Sequence, residues 1–381
     1  MEEQESEAEI ALNKLKWYYK YSFKEWNILA NNTNSNRSIF MGTLGENDDP
    51  DVNALIKRIK IKNNNYVKLL KEVYFLACCK RNHYFVGLID VFTLKDNLYI
   101  IFKGEGTDLS YLITYTKFDY NLTISNSSRY IIFQILCGLK YLHDNNLSHN
   151  DIKPSNIIVE SVLKIKICDM GSTDINSTKK YGGTNGYSSP NCLLGKKRTK
   201  EDDIWSVGVV FLELLKKQLG IFSLSNDQNK KLNIIDDGPI ILQYILKRFY
   251  DIRIGNGNWN ENINYNIIIN NIKNDNYDAF EYELKLNLDL FKDINDEDKT
   301  FIKNLLEINP AKRKTVQDLL KETIFENFWL ENSEFDFKLE DYKDYLSEGQ
   351  INEETFKNHL QSIKEKFLGK EIFIKNKNKN N

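Results

Sequence analysis

The hydrophobic pattern of the chain changes near residue 102. Before that point, short runs of apolar residues bounded by turn residues indicate strands, most clearly at Ala54–Ile61, Val86–Phe92 and Asn97–Phe102. Between the first two runs, Lys68–Leu76 repeats its apolar residues at helical spacing. The first part of the chain is therefore predicted to be a sheet accompanied by one helix.

The second part has mainly helical spacing. Ser128–His143 carries a broad apolar stripe, which predicts a buried helix. A strongly apolar helix is predicted from Glu201 to Leu215, and shorter helical patterns recur between residues 301 and 320. From Lys216 to about Leu290 the sequence is rich in Asn and weakly periodic, which predicts an expanded insert with short helices.

A polar loop interrupts this helical part. It carries Asp151, Lys153 and Asn156, and two short apolar runs follow it, with Asp169 at the end of the second. Phosphoryl transfer requires metal ligands, charge neutralisation and an acceptor for the hydroxyl proton. Two acids, an amide and a lysine supply these parts, so the stretch predicts a phosphoryl-transfer site; the alternative is a chance polar loop between two strands.

In residue type and spacing the stretch resembles the catalytic loop and metal-binding segment of eukaryotic protein kinases, nearest the cyclin-dependent kinase-like branch. Asn150 stands where that family usually has arginine, and Met170 where it usually has phenylalanine. The resemblance implies a bilobal α+β fold of the protein kinase type, with a small β-rich N-lobe and a larger helical C-lobe. It implies a Ser/Thr protein kinase that uses ATP and Mg²⁺ on a protein substrate.

The resemblance also assigns roles to the polar residues. Asp151 would orient the substrate hydroxyl and accept its proton, and Lys153 would steady the transferred phosphoryl group. Asn156 and Asp169 would hold Mg²⁺. Thr184 matches the threonine that bridges the catalytic aspartate and lysine in Ser/Thr kinases, which favours Ser/Thr over Tyr acceptors.

Six residues are implied to bind the nucleotide. Lys57 matches the strand lysine that contacts the phosphates, and its alternative is a surface lysine on an edge strand. Asp108 would either contact the ribose hydroxyls or cap the next helix. The full set is Lys57, Glu72, Phe102, Glu105, Asp108 and Ile158.

Several positions depart from the family. No glycine occurs in Asn31–Phe40, where a glycine-rich loop would cover the phosphates, and Leu55 stands where alanine is usual under the adenine. Asn191 stands where the family has the glutamate that would pair with Arg313. The Asn191 side chain is an alternative acceptor for a hydrogen bond from Arg313. These departures support the alternative function, a pseudokinase scaffold with weak or no ATP turnover. A kinase for small-molecule hydroxyls is a third alternative.

Asn150 has a separate consequence. In many kinases the arginine at this position receives a phosphorylated activation segment through charge-assisted bonds. Its absence predicts that activity does not depend strongly on phosphorylation. The hydroxyl groups concerned are those of Ser172, Thr173, Ser177 and Thr178.

The match to the helix motif D-x-W-S-x-G, at Asp203, Trp205 and Gly208, is the most specific support outside the loop. By the resemblance Asp203 anchors the backbone of the catalytic loop. The predicted domains are an N-terminal extension with degenerate first strands, the kinase domain, and a charged extension with a disordered tail. Their boundaries are 1–39, 40–325 and 326–381; within the domain, the N-lobe runs to about 102, the hinge is 103–107 and the C-lobe is 108–325 with the insert at about 216–290.

The composition of the chain limits the classes of partner and the cellular locations that we expect. The 52 Lys and Arg residues nearly balance 54 Asp and Glu residues, so no net field attracts nucleic acid or an anionic membrane. No apolar run approaches the roughly 20 residues of a membrane span. Five cysteines without paired spacing indicate reduced thiols, and hence a cytoplasmic or nuclear protein. The need for a regulatory subunit is left open.

Overall fold

The computed structural model divides the chain into two compact units. The first takes in residues up to Gly106 together with those from Ser333 onward, and the second is Thr107–Asn332. The residues that the structure describes are 22–32, 37–45, 52–62, 65–94, 96–104, 106–115, 124–160, 163–175, 183–223, 234–254, 258–261, 263–277, 282–287, 292–330, 338–346 and 351–368.

A five-stranded antiparallel sheet forms the first unit, in the order β1-β2-β3-β5-β4. Its strands are β1 (Ser22–Asn32), β2 (Arg37–Gly45), β3 (Val52–Lys60), β4 (Gly87–Leu94) and β5 (Asn97–Lys103). Strands β1 and β2 pair with the rest of the sheet, so the sheet begins at Ser22, within the predicted N-terminal extension that carries the first strands. The predicted boundary at residue 40 falls within β2 and stays a prediction.

One helix, α1 (Tyr66–Cys78), follows β3, as the pattern at Lys68–Leu76 predicted. Two more helices of this unit come from the C-terminal end of the chain: α10 (Leu339–Leu346) and α11 (Glu353–Ile363), followed by a π-helical turn at Lys364–Leu368. The 326–381 extension thus contains ordered helices that pack on α1. The predicted disordered tail lies outside the described residues from 369 onward.

The second unit is mainly helical. Its helices are α2 (Leu109–Tyr115), α3 (Ile124–Asp144), α4 (Pro190–Leu193), α5 (Lys200–Lys216), α6 (Ile234–Phe249), α7 (Tyr265–Lys273), α8 (Asp296–Leu305) and α9 (Val316–Leu319). Its strands are β6 (Thr107–Asp108), β7 (Leu147–Ser148), β8 (Ile157–Val159), β9 (Ile165–Ile167), β10 (Asp174–Ile175), β11 (Tyr250–Ile254) and β12 (Tyr282–Leu286). The small strand-rich unit and the larger helical one confirm the predicted fold class.

Helix α5 lies at the centre of this unit, packed against α3 and α8. At its start, Asp202 Oδ2 accepts a hydrogen bond from the Thr199 N–H at 2.6 Å, and Trp205 is fully buried. A Cβ atom at Gly208 would lie 2.8 Å from Leu305 Cβ and 2.7 Å from Leu306 Cδ2. Glycine is therefore required for α5 to approach α8 this closely.

The Asn-rich insert lies in the second unit, and its described part is more regular than the predicted short helices. It contains the 16-residue helix α6 and an antiparallel pair, β11 with β12. Helix α6 approaches α4 so closely that a Cβ atom at Gly238 would lie 1.8 Å from the Leu193 carbonyl oxygen. Long-range packing of this kind is not visible in a weakly periodic sequence.

Within the described part of the chain, no helix combines the length and the apolar character needed to cross a membrane.

Candidate active site

The polar loop that carries Asp151 lies between two short strands of the second unit. Strand β7 precedes it and pairs with β10, and a 3₁₀ turn at Pro154–Asn156 leads into β8. Proline suits the first position of such a turn because its missing N–H would have no partner there. Strands β8 and β9 form an antiparallel pair. The Cys168 N–H donates to the Asn156 carbonyl oxygen at 2.9 Å, which places the start of the Asp169 segment beside Asn156.

Asp203 anchors the loop backbone from α5. Its two carboxylate oxygens accept hydrogen bonds from the N–H groups of His149 and Asn150, each at 2.8 Å, and His143 Nε2 lies 3.0 Å from Oδ2. Burial alone would raise the pKa of Asp203, but the His143 hydrogen bond and the attraction of the nearby histidines and N–H groups lower it. Asn150 has a left-handed backbone with φ 68°. The anchor therefore holds a conformation that most residues disfavour.

Asp151, Lys153 and Thr184 form a closed triangle of hydrogen bonds. Lys153 Nζ lies 2.8 Å from Asp151 Oδ2 and donates to Thr184 Oγ1 at 2.7 Å. The Thr184 hydroxyl in turn donates to Asp151 Oδ1 at 2.7 Å. The structure thus brings together the three predicted catalytic residues, although Thr184 is 33 positions from Asp151. The triangle leaves a carboxylate fixed in orientation beside an ammonium group.

Asn156 and Asp169 fit the predicted magnesium site by their chemistry. The Asn156 side-chain nitrogen donates to the Asp151 carbonyl oxygen at 2.8 Å and to Asp151 Oδ2 at 3.1 Å. Because this nitrogen is committed to Asp151, Asn156 would offer its amide oxygen to a cation. Asp169 adds a carboxylate from a left-handed residue, φ 60°. Amide and carboxylate oxygens are the ligands that Mg²⁺ prefers.

Lys57 and Glu72 form a buried ion pair in the first unit, between β3 and α1. Their exposed fractions are 7% and 1%. The alternative of a surface lysine on an edge strand is wrong, because β3 lies inside the sheet between β2 and β5. The carboxylate holds the lysine ammonium group in one place, as a phosphate-contacting group requires.

The other predicted nucleotide-binding residues are only partly described. Phe102 is buried on β5, where it is the Cα partner of Leu55. Asp108 is the Cα partner of Ile158 through the pairing of β6 with β8, so these two predicted residues are neighbours. Glu105 lies outside the described residues.

Asp108 caps α2. Its Oδ1 accepts a hydrogen bond from the Tyr111 N–H at 3.0 Å and another from the Ser110 hydroxyl. The helix-cap alternative for Asp108 is thereby confirmed. Contact with the ribose stays a prediction.

Comparison with known proteins agrees with this arrangement. Residues 45–325 match the family model described as the protein kinase domain. The chain belongs to the protein kinase family. That family generally uses ATP and Mg²⁺.

The similar proteins include several mitogen-activated protein kinases. Mitogen-activated protein kinase 13 of Arabidopsis thaliana is 31% identical, over 45% of this chain and 50% of the relative. Mitogen-activated protein kinase hog1 of Blastobotrys adeninivorans is 34% identical, over 39% of this chain and 36% of the relative. Extracellular signal-regulated kinase 7 of Drosophila melanogaster is 23% identical, over 77% of this chain and 31% of the relative.

The chain thus spans half the length, or less, of each of these three relatives. Mitogen-activated and cyclin-dependent kinases belong to one group of the family, so the predicted group is confirmed.

One departure from the kinase pattern, Asn191 in place of the glutamate that would pair with Arg313, has a local explanation. Asn191 accepts a hydrogen bond from the Tyr277 hydroxyl at 3.0 Å. Arg313 is held instead by backbone: it donates to the Glu307 carbonyl oxygen from Nε at 3.0 Å and Nη2 at 2.6 Å, and to the Glu201 carbonyl oxygen at 2.6 Å. Backbone acceptors thus take the place of the missing glutamate. Of the stretch Asn31–Phe40, where the glycine-rich loop would lie, residues 33–36 are outside the described residues.

Sequence reasoning missed Arg198. This buried residue donates from Nη2 to the Asn150 carbonyl oxygen, and the same nitrogen lies 2.9 Å from where a Gly183 Cβ would be. Arg198 thus brings a guanidinium to the part of the kinase loop where Asn150 has replaced an arginine. The available signal was a basic residue directly before Thr199, the N-cap residue of α5.

Proposed function

We propose that this chain is a protein kinase that transfers the γ-phosphate of ATP to Ser or Thr hydroxyls of a protein substrate. The observation that carries the proposal is the triangle of Asp151, Lys153 and Thr184, with all three sides between 2.7 and 2.8 Å. Membership of the protein kinase family supports the reaction class. The names of the similar mitogen-activated protein kinases support the same activity.

Asp151 acts on the acceptor hydroxyl. Its carboxylate is oriented by Thr184 and Lys153, so one oxygen can accept the hydroxyl proton as the oxygen attacks phosphorus. Lys153 supplies a positive charge beside that carboxylate, where negative charge on the transferred group has to be stabilised. Asn156 supports both roles because its amide nitrogen fixes the Asp151 carbonyl and carboxylate oxygens.

Lys57 is proposed to contact the phosphates of ATP, with Glu72 holding the ammonium group in place. Asn156 and Asp169 are proposed to hold Mg²⁺, which supplies charge neutralisation when bound. Phe102, Glu105, Asp108 and Ile158 are proposed to contact the adenine and ribose. A reducing location, cytoplasm or nucleus, is proposed from five cysteines that form no disulfide, four of them buried.

The acceptor preference can be tested with three peptides of one basic sequence that differ only in a single Ser, Thr or Tyr. The protein, purified alone, is incubated with ATP and Mg²⁺, and phosphate incorporation is measured. The proposal predicts transfer to the Ser and Thr peptides and little to the Tyr peptide, with Asp151→Asn reducing transfer by roughly a hundredfold or more. Equal transfer to the Tyr peptide, or full activity in Asp151→Asn, would contradict it.

A further inference from the structure

Arg198 lies directly before Thr199, the N-cap residue of α5, and it is buried, with an exposed fraction of 6%. Within the part of the chain that the structure describes, no carboxylate forms an ion pair with its guanidinium, and Nε has no hydrogen-bond partner. A buried charge without a carboxylate partner lowers stability, so an apolar side chain of similar size would suit a purely structural position better. The polar contacts that Arg198 does make therefore indicate its role.

The first of these contacts is with the catalytic loop. Arg198 Nη2 donates a hydrogen bond to the Asn150 carbonyl oxygen. This oxygen belongs to the planar peptide group that joins Asn150 to Asp151. Another bond of the same peptide group, from the Asp151 N–H to His149 Nδ1, is long at 3.3 Å. Arg198 is thus a charged donor that holds the peptide leading into Asp151.

Arg198 and Asp203 hold the two sides of Asn150. The Asn150 N–H donates to Asp203 Oδ1 at 2.8 Å, and the Asn150 carbonyl oxygen accepts from Arg198. The peptide planes on either side of a residue set its φ and ψ angles, and both planes of Asn150 are bound by residues at the start of α5. Asn150 has a φ of 68°, which residues other than glycine rarely adopt. Asp203 alone would leave the direction in which the chain enters Asp151 without support from α5.

The same nitrogen of Arg198 lies against the backbone that leads into Thr184. A Cβ atom at Gly183 would be 2.9 Å from Arg198 Nη2 and 3.1 Å from Ser188 Oγ, and Gly183 has a φ of 96°. The guanidinium therefore occupies space that a side chain at position 183 would fill. The Thr184 hydroxyl donates to Asp151 Oδ1 at 2.7 Å, so Arg198 lies against the residue that precedes each end of this hydrogen bond.

Arg198 also reaches α4. Burial and the nearby Asp202 carboxylate raise the pKa of the Cys192 thiol, and the attraction of the Arg198 guanidinium opposes this rise. One buried side chain thus lies beside the catalytic loop, the segment that carries Thr184, and α4.

We propose that Arg198 is a positioning residue for phosphate transfer, which fixes the peptide leading into Asp151 against the backbone leading into Thr184. It acts through the orientation of the Asp151 carboxylate and touches neither substrate nor nucleotide. A guanidinium presents several donors from one planar group, so a single side chain can hold a carbonyl oxygen and lie against a glycine. This role rests on the proposed kinase function.

The first test compares Arg198→Met with Lys197→Met in the full chain. Both substitutions remove one positive charge and leave an unbranched side chain, but Lys197 is exposed. Phosphate transfer to the Ser peptide is measured at varied ATP concentration, well below the melting temperature of each variant.

Arg198→Met is expected to lower kcat roughly 10- to 100-fold, with KM for ATP changed less than about threefold, because a misplaced reacting group slows turnover without weakening nucleotide binding. Lys197→Met should match the parent. Parent-like kcat in Arg198→Met, or an equal loss in Lys197→Met, would overturn the proposal.

A combination with Thr184→Val separates positioning from general stabilisation. Thr184→Val already releases the Asp151 carboxylate, so adding Arg198→Met should lower kcat less than about threefold further. Losses that multiply in full would contradict the proposal, because Arg198 would then not act through the Thr184–Asp151 hydrogen bond.

Arg198→Lys is the conservative variant. It keeps a charged donor but lacks the planar guanidinium, so its kcat should fall between those of the parent and Arg198→Met. A kcat as low as that of Arg198→Met would refute the role of the hydrogen bond to Asn150. If Arg198→Met does not fold, Arg198→Lys replaces it in the comparison with Lys197→Met and in the combination with Thr184→Val, and parent-like kcat or fully multiplying losses would again overturn the proposal.

Backbone hydrogen exchange provides a readout that needs no activity. Arg198→Met should speed exchange at the N–H groups of His149 and Asn150 about tenfold or more, with α3 unchanged. Parent-like exchange in the loop, or equal acceleration in α3, would count against positioning by Arg198. If the parent transfers no phosphate, the proposed kinase function has failed, and the exchange comparison alone decides whether Arg198 holds the loop.

Discussion

The Thr184 hydroxyl donates a hydrogen bond of 2.7 Å to Asp151 Oδ1, while Lys153 donates to Thr184 and contacts the other Asp151 oxygen. The link joins the segment that begins at Gly183 to the catalytic loop. It fixes the orientation of the carboxylate that would accept the substrate proton. Loss of that orientation should affect turnover more than the stability of the fold.

Thr184→Val replaces the hydroxyl with a methyl group of similar size and removes both hydrogen bonds. We expect kcat to fall roughly 10- to 100-fold, since a small misplacement of a reacting group costs about that much. Thr184→Ser keeps the hydroxyl and should retain most of the activity. Steady-state phosphorylation and thermal melting of both variants check this. A valine variant with parent-like kcat would show that the link is not needed.

Asp203 should stabilise the second unit in a pH-dependent way. Its pKa in the folded protein is below the ordinary value of 3.8, so its contribution is fully present above pH 4 or so and is lost as the pH falls through the lower folded pKa. Asp203→Asn removes one charged acceptor from two buried N–H groups. We expect it to lower the free energy of unfolding by about 3 kcal/mol at pH 7.

Urea unfolding of the parent and Asp203→Asn between pH 7 and pH 3 measures this difference. It should be constant from pH 7 to about pH 5 and should shrink below pH 4. Asp293→Asn is the control, because the Asp293 side chain is 87% exposed. A difference that is as large at pH 3 as at pH 7 would contradict the account.

Glu213 predicts the opposite pH dependence. Burial raises its pKa from 4.5 to about 7, although the Tyr187 hydroxyl and the Gly220 and Ile221 N–H groups favour the carboxylate. Between pH 4.5 and 7 the folded state binds more protons than the unfolded state, so stability falls as the pH rises through this window. The total loss should be about 3 kcal/mol.

Glu213→Gln does not ionise and should lack this loss, which urea unfolding between pH 4.5 and pH 8 would show. Tyr187→Phe removes a donor that favours the carboxylate, so its loss of stability should extend to higher pH. If parent and Glu213→Gln depend on pH in the same way, the raised pKa of Glu213 is wrong.

The Asn150 side chain links the catalytic loop to Ser172, at the start of the activation segment, and this link involves no phosphate group. Its side-chain nitrogen donates to the carbonyl oxygens of Ser148 and Ser172, both at 3.1 Å. We therefore expect activity to be independent of phosphorylation in this segment. The four alanine substitutions at Ser172, Thr173, Ser177 and Thr178 together should leave kcat within roughly threefold of the parent.

Phosphatase treatment of the parent should likewise have little effect. Thr173 is fully buried, so the single variant Thr173→Ala serves as the control for lost packing. A collapse of activity in the quadruple variant, with Thr173→Ala active and both variants folded, would refute the prediction.

The residues of the polar loop could be predicted because their functional groups are close in sequence and need only a short stretch of regular backbone. Asp151, Lys153 and Asn156 lie within six consecutive positions of the sequence. The pairing of Lys57 with Glu72 could be predicted because a strand with a lysine is followed along the chain by a helix with a glutamate. The structure pairs the two residues, which are 15 positions apart. In each case a charged or polar residue stands within or beside a clear apolar pattern.

The misses involve contacts between distant or irregular segments. The C-terminal helices have enough charge to resemble solvated helices, and nothing in their periodicity shows that Tyr342 and Phe356 meet α1. Asn191 pairs with Tyr277, which lies in an insert of weak periodicity. Arg198 reaches a backbone carbonyl, and such an acceptor has no residue type that a sequence pattern could reveal.

The most direct test of the central claim is transfer of the γ-phosphate of ATP to a basic protein substrate in the presence of Mg²⁺, with Asp169→Ala measured alongside. We expect clear transfer by the parent and loss of transfer in Asp169→Ala, with both proteins folded by thermal melting. We also expect ATP to raise the melting temperature of the parent only when Mg²⁺ is present. No transfer by the parent, or equal transfer by Asp169→Ala, would contradict the kinase function; without transfer and without a melting shift, the scaffold alternative would replace it.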